Sequence, residues 1–157
     1  MWWILILVAV VGGLLLFEVK AKNKLAQQGK IVLRNRGFHK NAEVFTMGMP
    51  VEPEQVTEGL KAINAQLKVG IKGSTEKQSF QIEGGSFSKW TARLYKLESE
   101  EGKTAYRFQF ASWQEENNRP KEETSMNMLL TAVEKMFLGF DPDTKVQEIP
   151  VEIHAGK

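Results

Sequence analysis

Apolar and polar residues fall along this chain in three rhythms, and each predicts a different kind of element. From Trp2 to Phe17 there is no alternation at all: sixteen consecutive positions are apolar or glycine, without charge or proline. A helix that is apolar on every side belongs in lipid or in a large core. At about 1.5 Å of rise per residue the run reaches roughly 24 Å, a little short of a hydrocarbon core of about 30 Å. Trp2 and Trp3 in one interfacial belt, and snorkelling Lys20 and Lys22 at the other end, complete the span. A cleaved signal peptide would carry a basic region first and a small-residue cleavage site afterwards. Nothing basic precedes this run, and the nearest cleavage pattern, Val19-Lys20-Ala21, follows Glu18 and lies among lysines. The pattern predicts a retained transmembrane anchor over residues 1–19, a basic juxtamembrane connector over 20–41 and a folded domain over 42–157.

A rhythm of 3.6 residues appears twice in the domain. Val56, Leu60, Ile63 and Leu67 follow Pro53, which suits a first helical position, and Gly70 closes the segment. Met126, Leu129, Leu130, Val133, Met136 and Phe137 mark a second amphipathic helix, with Ser125 as its expected N-cap and Gly139 near its end. Glu18 to Gln28 holds good helix formers that extend the anchor, and Gly29 is the expected stop.

The third rhythm, of two residues, predicts strands. Val44 to Met49 places Phe45, Met47 and Met49 on one side. Gln78–Glu83, Lys89–Leu97 and Thr104–Trp113 form a three-strand meander. Hairpin pairing must put apolar residues on a common face. A loop at Gly84-Gly85-Ser86 opposes Phe80 to Trp90, and a loop at Glu100-Glu101-Gly102 opposes Leu94 to Phe108 and Ala92 to Phe110. Gln147, Ile149, Val151 and Ile153 alternate as a last strand, where Pro150 implies an edge position. The expected fold is therefore α+β: a mainly antiparallel sheet in the order β-α-β-β-β-α-β, with both helices on its apolar face.

Charge alters this picture by its distribution. Residues 18–40 carry Lys20, Lys22, Lys24, Lys30, Arg34, Arg36 and Lys40 against Glu18 alone, a net +6, whereas residues 41–157 are net −4. The basic excess belongs to the connector. There each cation near an anionic headgroup contributes about 1 kcal/mol, a better account than nucleic acid for a mildly acidic domain. No Lys or Arg precedes the anchor, so the positive-inside rule places the N-terminus outside and the domain in the cytosol. Ala9 and Gly13, four apart, offer a small-residue contact for a homodimer through the anchor.

The candidate chemistry is sparse. The chain has no cysteine, which excludes disulfides, thiolate metal sites and cysteine nucleophiles. His39 and His154 have no neighbours in sequence to complete a metal site or a base–nucleophile pair, and read as surface histidines. Glu98-Ser99-Glu100-Glu101, Glu115-Glu116 and Glu122-Glu123 read as solvated loop charge. Gly70-Ile71-Lys72-Gly73 has the spacing of an RNA-clamping loop, but no helical pattern follows it. Tyr106, Phe108 and Phe110 face the helices in this fold and belong to the core.

What is left is the polar side of the meander. Lys89, Arg93, Tyr95, Arg107 and Trp113 would stand together there, arginines beside aromatics on an open sheet face, which suits a protein or an anionic group. The chain reads as a single-pass anchored, non-enzymatic protein without cofactor or metal, whose domain binds a protein partner or helps assemble a membrane complex. Two alternatives remain at this point. One is a carrier or sensor holding a lipid or other apolar ligand between helices and sheet, through Trp90, Phe108, Phe110 and the methionines of the second helix. The other is an extracytoplasmic anchored binding domain.

Overall fold

The computed structural model describes residues 20–151; the run Trp2–Phe17, with Ala9 and Gly13, and the C-terminal Ile153 and His154 lie outside the described residues. The chain divides into two compact units, one ending at Arg34 and one beginning at Asn35. In the first, residues 20–27 are helical (α1). Gly29, at φ 69, ends that helix, with its N–H donating to Ala26 O and the Lys30 N–H to Leu25 O, both at 3.0 Å. Lys20, Lys24 and Lys30 are exposed and Lys22 and Arg34 half-buried, while Arg36, in the second unit, is exposed. Among the described residues no helix is long and apolar enough to cross a membrane.

The second unit is an α+β domain. After a 3-10 turn at Phe38–Lys40 come β1 (Asn41–Met47), α2 (Pro53–Leu67), β2 (Gly70–Ser74), β3 (Ser79–Gly84), β4 (Trp90–Leu97) and β5 (Thr104–Ser112). A two-residue hairpin, β6 (Glu115–Glu116) and β7 (Arg119–Pro120), precedes α3 (Glu123–Phe140) and β8 (Lys145–Pro150). Six strands form one sheet in the order β2-β3-β4-β5-β1-β8, and every neighbouring pair is antiparallel. β8 is an edge strand, the position that Pro150 tolerates.

Phe45 and Met47 of β1, Phe80 and Ile82 of β3, Trp90, Ala92 and Leu94 of β4, and Tyr106, Phe108 and Phe110 of β5 form one core. Val56, Leu60 and Ile63 of α2 join it, as do Met126, Leu129, Leu130, Val133 and Phe137 of α3. Both helices thus bury their apolar stripes on one face of the sheet. Phe137 sits at the middle of this layer, stacked on Phe45 at 4.7 Å and tilted against Tyr106 at 5.3 Å. The Tyr106 hydroxyl donates to Gln78 Oε1, and burial pushes its pKa up to about 12.

Sequence and structure part at three local points. β2 is not among the expected strands: Gly70–Ser74 has Ile71 as its sole large apolar residue, too little alternation to register, yet it pairs with β3 along the edge. The β4–β5 pairing is the expected one, Leu94 against Phe108 and Ala92 against Phe110. The β3–β4 pairing slides by four residues, so that Phe80 faces Leu94 and Gly84, not Phe80, faces Trp90. Four is an even number, which keeps every side chain on its expected face. Finally, Glu122, not Ser125, is the residue before the first turn of α3.

Candidate functional site

The outer face of the sheet gathers part of the expected set. Tyr95 of β4 lies directly across from Arg107 of β5, and one row along Arg93 faces Gln109. Opposed side chains on antiparallel strands stand about 4.5–5.5 Å apart at Cβ, so these four form one contiguous patch. The patch continues over β3 and β2 through Gln81 and Lys72, which pair in register with Arg93 and with each other. The Arg107 Nε–H donates to Gln109 Oε1 at 3.0 Å, which fixes the guanidinium along the strand. Arg93 is exposed, and Tyr95, Arg107 and Gln109 are half-buried.

Lys89 and Trp113 do not join them. Lys89 precedes β4 and lines a cleft at the end of the sheet. Trp113 was expected on the polar side by simple alternation along β5. The pairing shifts between Thr91 and Ala92, which face Ser112 and Phe110, so that Ala111 is an extra residue in β5. A bulge of one residue breaks the two-residue alternation beyond it. Trp113 accordingly packs against the core cluster, its ring 4.8 Å from that of His39.

His39 itself is a correction. Read as a surface residue, it is 2% exposed, wedged edge-on between Phe38 and Trp113, with Phe38 in turn against Phe110. Neither ring nitrogen has a hydrogen-bond partner among the described residues. The Glu115 carboxylate is 3.7 Å from Nε2, beyond hydrogen-bonding range, and accepts instead from the Trp113 Nε1–H at 3.0 Å. Burial pushes the imidazole below its ordinary pKa, Lys40 adds to this, and Glu115 opposes it. The Trp113 hydrogen bond holds the exposed Glu115 carboxyl below the usual range, helped by Lys40 and His39.

The cleft beside Lys89 has a volume of about 470 Å³ and runs between the end of α2, the start of α3 and the β3–β4 loop. Leu67, Val69, Trp90 and Met128 supply its apolar lining, and Lys68, Glu83 and Lys89 its charges. Its floor is locked in place. The Trp90 Nε1–H donates to Ser125 Oγ at 2.8 Å, Ser125 donates to the Glu122 carbonyl at 3.0 Å, and the indole lies so close to Gly84 that a Cβ there would stand 2.2 Å from it. Glu122, expected as solvated charge, ties down the loop: its Oε1 accepts from the N–H groups of Phe87 at 2.8 Å and Ser88 at 3.3 Å. Phe87 is fully exposed. The sequence signal for it was a lone aromatic inside Gly-Gly-Ser-Phe-Ser, outside any strand alternation.

Gly70–Gly73 is strand followed by a turn, without the helix a nucleic-acid clamp requires. Among the described residues no three His, Asp or Glu side chains are grouped as a metal site would need. No family model matches the chain, and no curated protein matches it. The class that the fold defines is a two-layer α+β domain, a mainly antiparallel six-stranded sheet packed on one face by α2 and α3.

Proposed function

We propose that this protein is a membrane-anchored, non-catalytic binding module whose domain docks a partner protein on the outer face of β4 and β5. The observation that carries this reading is the patch of Arg93, Tyr95, Arg107 and Gln109, set on the face opposite the helices. Two guanidinium groups with a tyrosine between them, extended by Lys72, suit an acidic surface, since arginine forks pair with carboxylates in two parallel hydrogen bonds. The apolar run Trp2–Phe17 and the cations that follow it supply the argument for the anchor and for a cytosolic domain near anionic lipid. An internal apolar ligand has less support, because Trp90, Phe108 and Phe110 pack edge to face against one another with 1% exposure each.

The absence of cysteine makes the test direct. Full-length Tyr95→Cys, carrying a photoreactive thiol reagent, should form a discrete protein adduct in its own membranes. Combining it with Arg93→Glu and Arg107→Glu should abolish that adduct without moving the unfolding midpoint. No adduct, or one indifferent to the charge reversal, overturns the interface. Orientation is read separately with Ser99→Cys, in the exposed turn before β5. An impermeant maleimide should label it only after lysis; labelling of intact cells places the domain outside.

A further inference from the structure

We propose that this protein self-associates through the end of the sheet that carries the β3–β4 loop, each copy seating its Phe87 ring in the Trp90 cleft of the other. The inference is independent of the outer-face reading, because Phe87 and the cleft stand apart from Arg93, Tyr95 and Arg107.

Phe87 is 100% exposed, the most exposed of the large apolar side chains among the described residues. The ring is also not on a loose tip. Its own N–H and that of Ser88 are bound by Glu122, and Ser88 is buried beneath it. An aromatic displayed on a fixed backbone loses little conformational entropy on docking, which is the property of an interface anchor.

The receiving site lies next to it. Gly84, Gly85, Ser86 and Lys89 of the same loop form one wall of the 470 Å³ cleft, and Phe87 is absent from its lining. A knob and a hole carried by one loop cannot fill each other within a chain. A two-fold axis satisfies both at once, since an isologous contact requires only that one patch be complementary to itself. The charges fit the same operation: Lys68, Lys89 and Glu83 line the cleft without an ion pair among the described residues, so each copy offers cations and a carboxylate to its mate. A lipid surface is the poorer occupant, because Glu83, Glu122 and Glu123 offset Lys68 and Lys89 at this end of the domain, leaving no net attraction to anionic headgroups, and because lipid would leave the cleft unfilled.

One phenyl ring buries about 150–250 Å². Two such seats fall short of the roughly 800 Å² per partner of a stable complex, so the contact is a weak one that forms where copies are concentrated, as on a membrane.

The test uses two differently tagged full-length chains, Phe87→Cys in one and Met128→Cys in the other, mixed and oxidised. A cross-link between tags is expected, well above that of Phe87→Cys mixed with Leu138→Cys, whose exposed position lies two to three turns further along α3. Adding Phe87→Ser to the Met128→Cys chain removes the second seat. It should cut the yield by about tenfold or more, the effect of unburying one large apolar side chain. A yield equal to the Leu138 control, as association through anchors alone would give, overturns the proposal. So does a yield unaffected by Phe87→Ser, or protection of the Phe87→Cys thiol from a soluble maleimide by anionic vesicles in place of a second copy.

Discussion

The two faces of the sheet are made from alternate residues of the same strands, and they are put to opposite uses. On β5, Tyr106, Phe108 and Phe110 are almost wholly buried under α2 and α3, while Arg107 and Gln109 between them keep part of their surface in water. On β4, Ala92 and Leu94 are buried, while Arg93 and Tyr95 reach the other way. The inner face gains its stability from removing apolar area from water at about 25 cal/mol per Å². The outer face gains little, because long polar side chains lose rotamer freedom for modest contacts. One ladder of backbone hydrogen bonds therefore joins a layer that specifies the fold to a layer free to specify a partner.

The sharpest way to break this contrast is to empty the inner face. Phe137→Ala removes the ring that stacks on Phe45 and leans on Tyr106, and should cost about 3–5 kcal/mol, read as a lower urea midpoint at unchanged slope. A loss under about 1 kcal/mol would mean that α3 is not held to the sheet by that ring. Overfilling is the next smaller effect. Gly84→Ala forces the Trp90 indole off its seat, since the new Cβ would lie 2.2 Å from the ring, and should cost about 1–3 kcal/mol. Trp90 fluorescence should shift to longer wavelength as its bond to Ser125 opens.

The same contrast sets what was legible beforehand. Face assignment depends on parity alone, so the apolar rows of β3, β4 and β5 could be written from alternation, even though the β3–β4 pairing lay four residues away. Register across that hairpin was not legible, because it is set by the Trp90–Gly84 contact and by Glu122, which lies 35 positions beyond Phe87. The bulge at Ala111 adds one residue to β5 without a Gly or Pro to mark it, and it took Trp113 off the outer face. Lys89 was lost for a related reason, since the loop is longer than a three-residue turn and ends just after it. His39 shows the limit of local context. A histidine between Phe38 and Lys40 in a basic stretch gives no sign that Trp113, far away in sequence, will cover it.

That histidine provides the third effect in size, at the margin between the two faces. Its folded pKa lies below the ordinary 6.5, so between those two values the unfolded chain binds the extra proton. Stability should be level above about pH 6.5 and fall as the pH drops below it, with a slope of at most about 1.4 kcal/mol per unit from one group. Glu115, whose ordinary value is 4.5, loses its stabilisation only as the pH falls below about that value, so the window from about pH 6.5 to about pH 5 separates His39 from it. His39→Phe keeps the ring contacts with Phe38 and Trp113, and should flatten the profile in that window. An unchanged slope in urea melts at stepped pH would show that the imidazole is not the group that titrates.

The smallest effect on stability is the most informative about use. Arg93→Ala and Arg107→Ala remove side chains that project from strands whose hydrogen bonds and inner-face packing are untouched. Arg93→Ala, at an exposed position, should change the unfolding free energy by no more than about 0.5 kcal/mol. Arg107 also releases Gln109, so its loss should be the larger of the two. If these residues served only to shield strand backbone, the two substitutions would be equally silent in binding. A partner adduct at position 95 that disappears in the double variant, while the urea midpoint stays where it was, assigns the arginines to recognition, because nothing in the inner layer has then been disturbed.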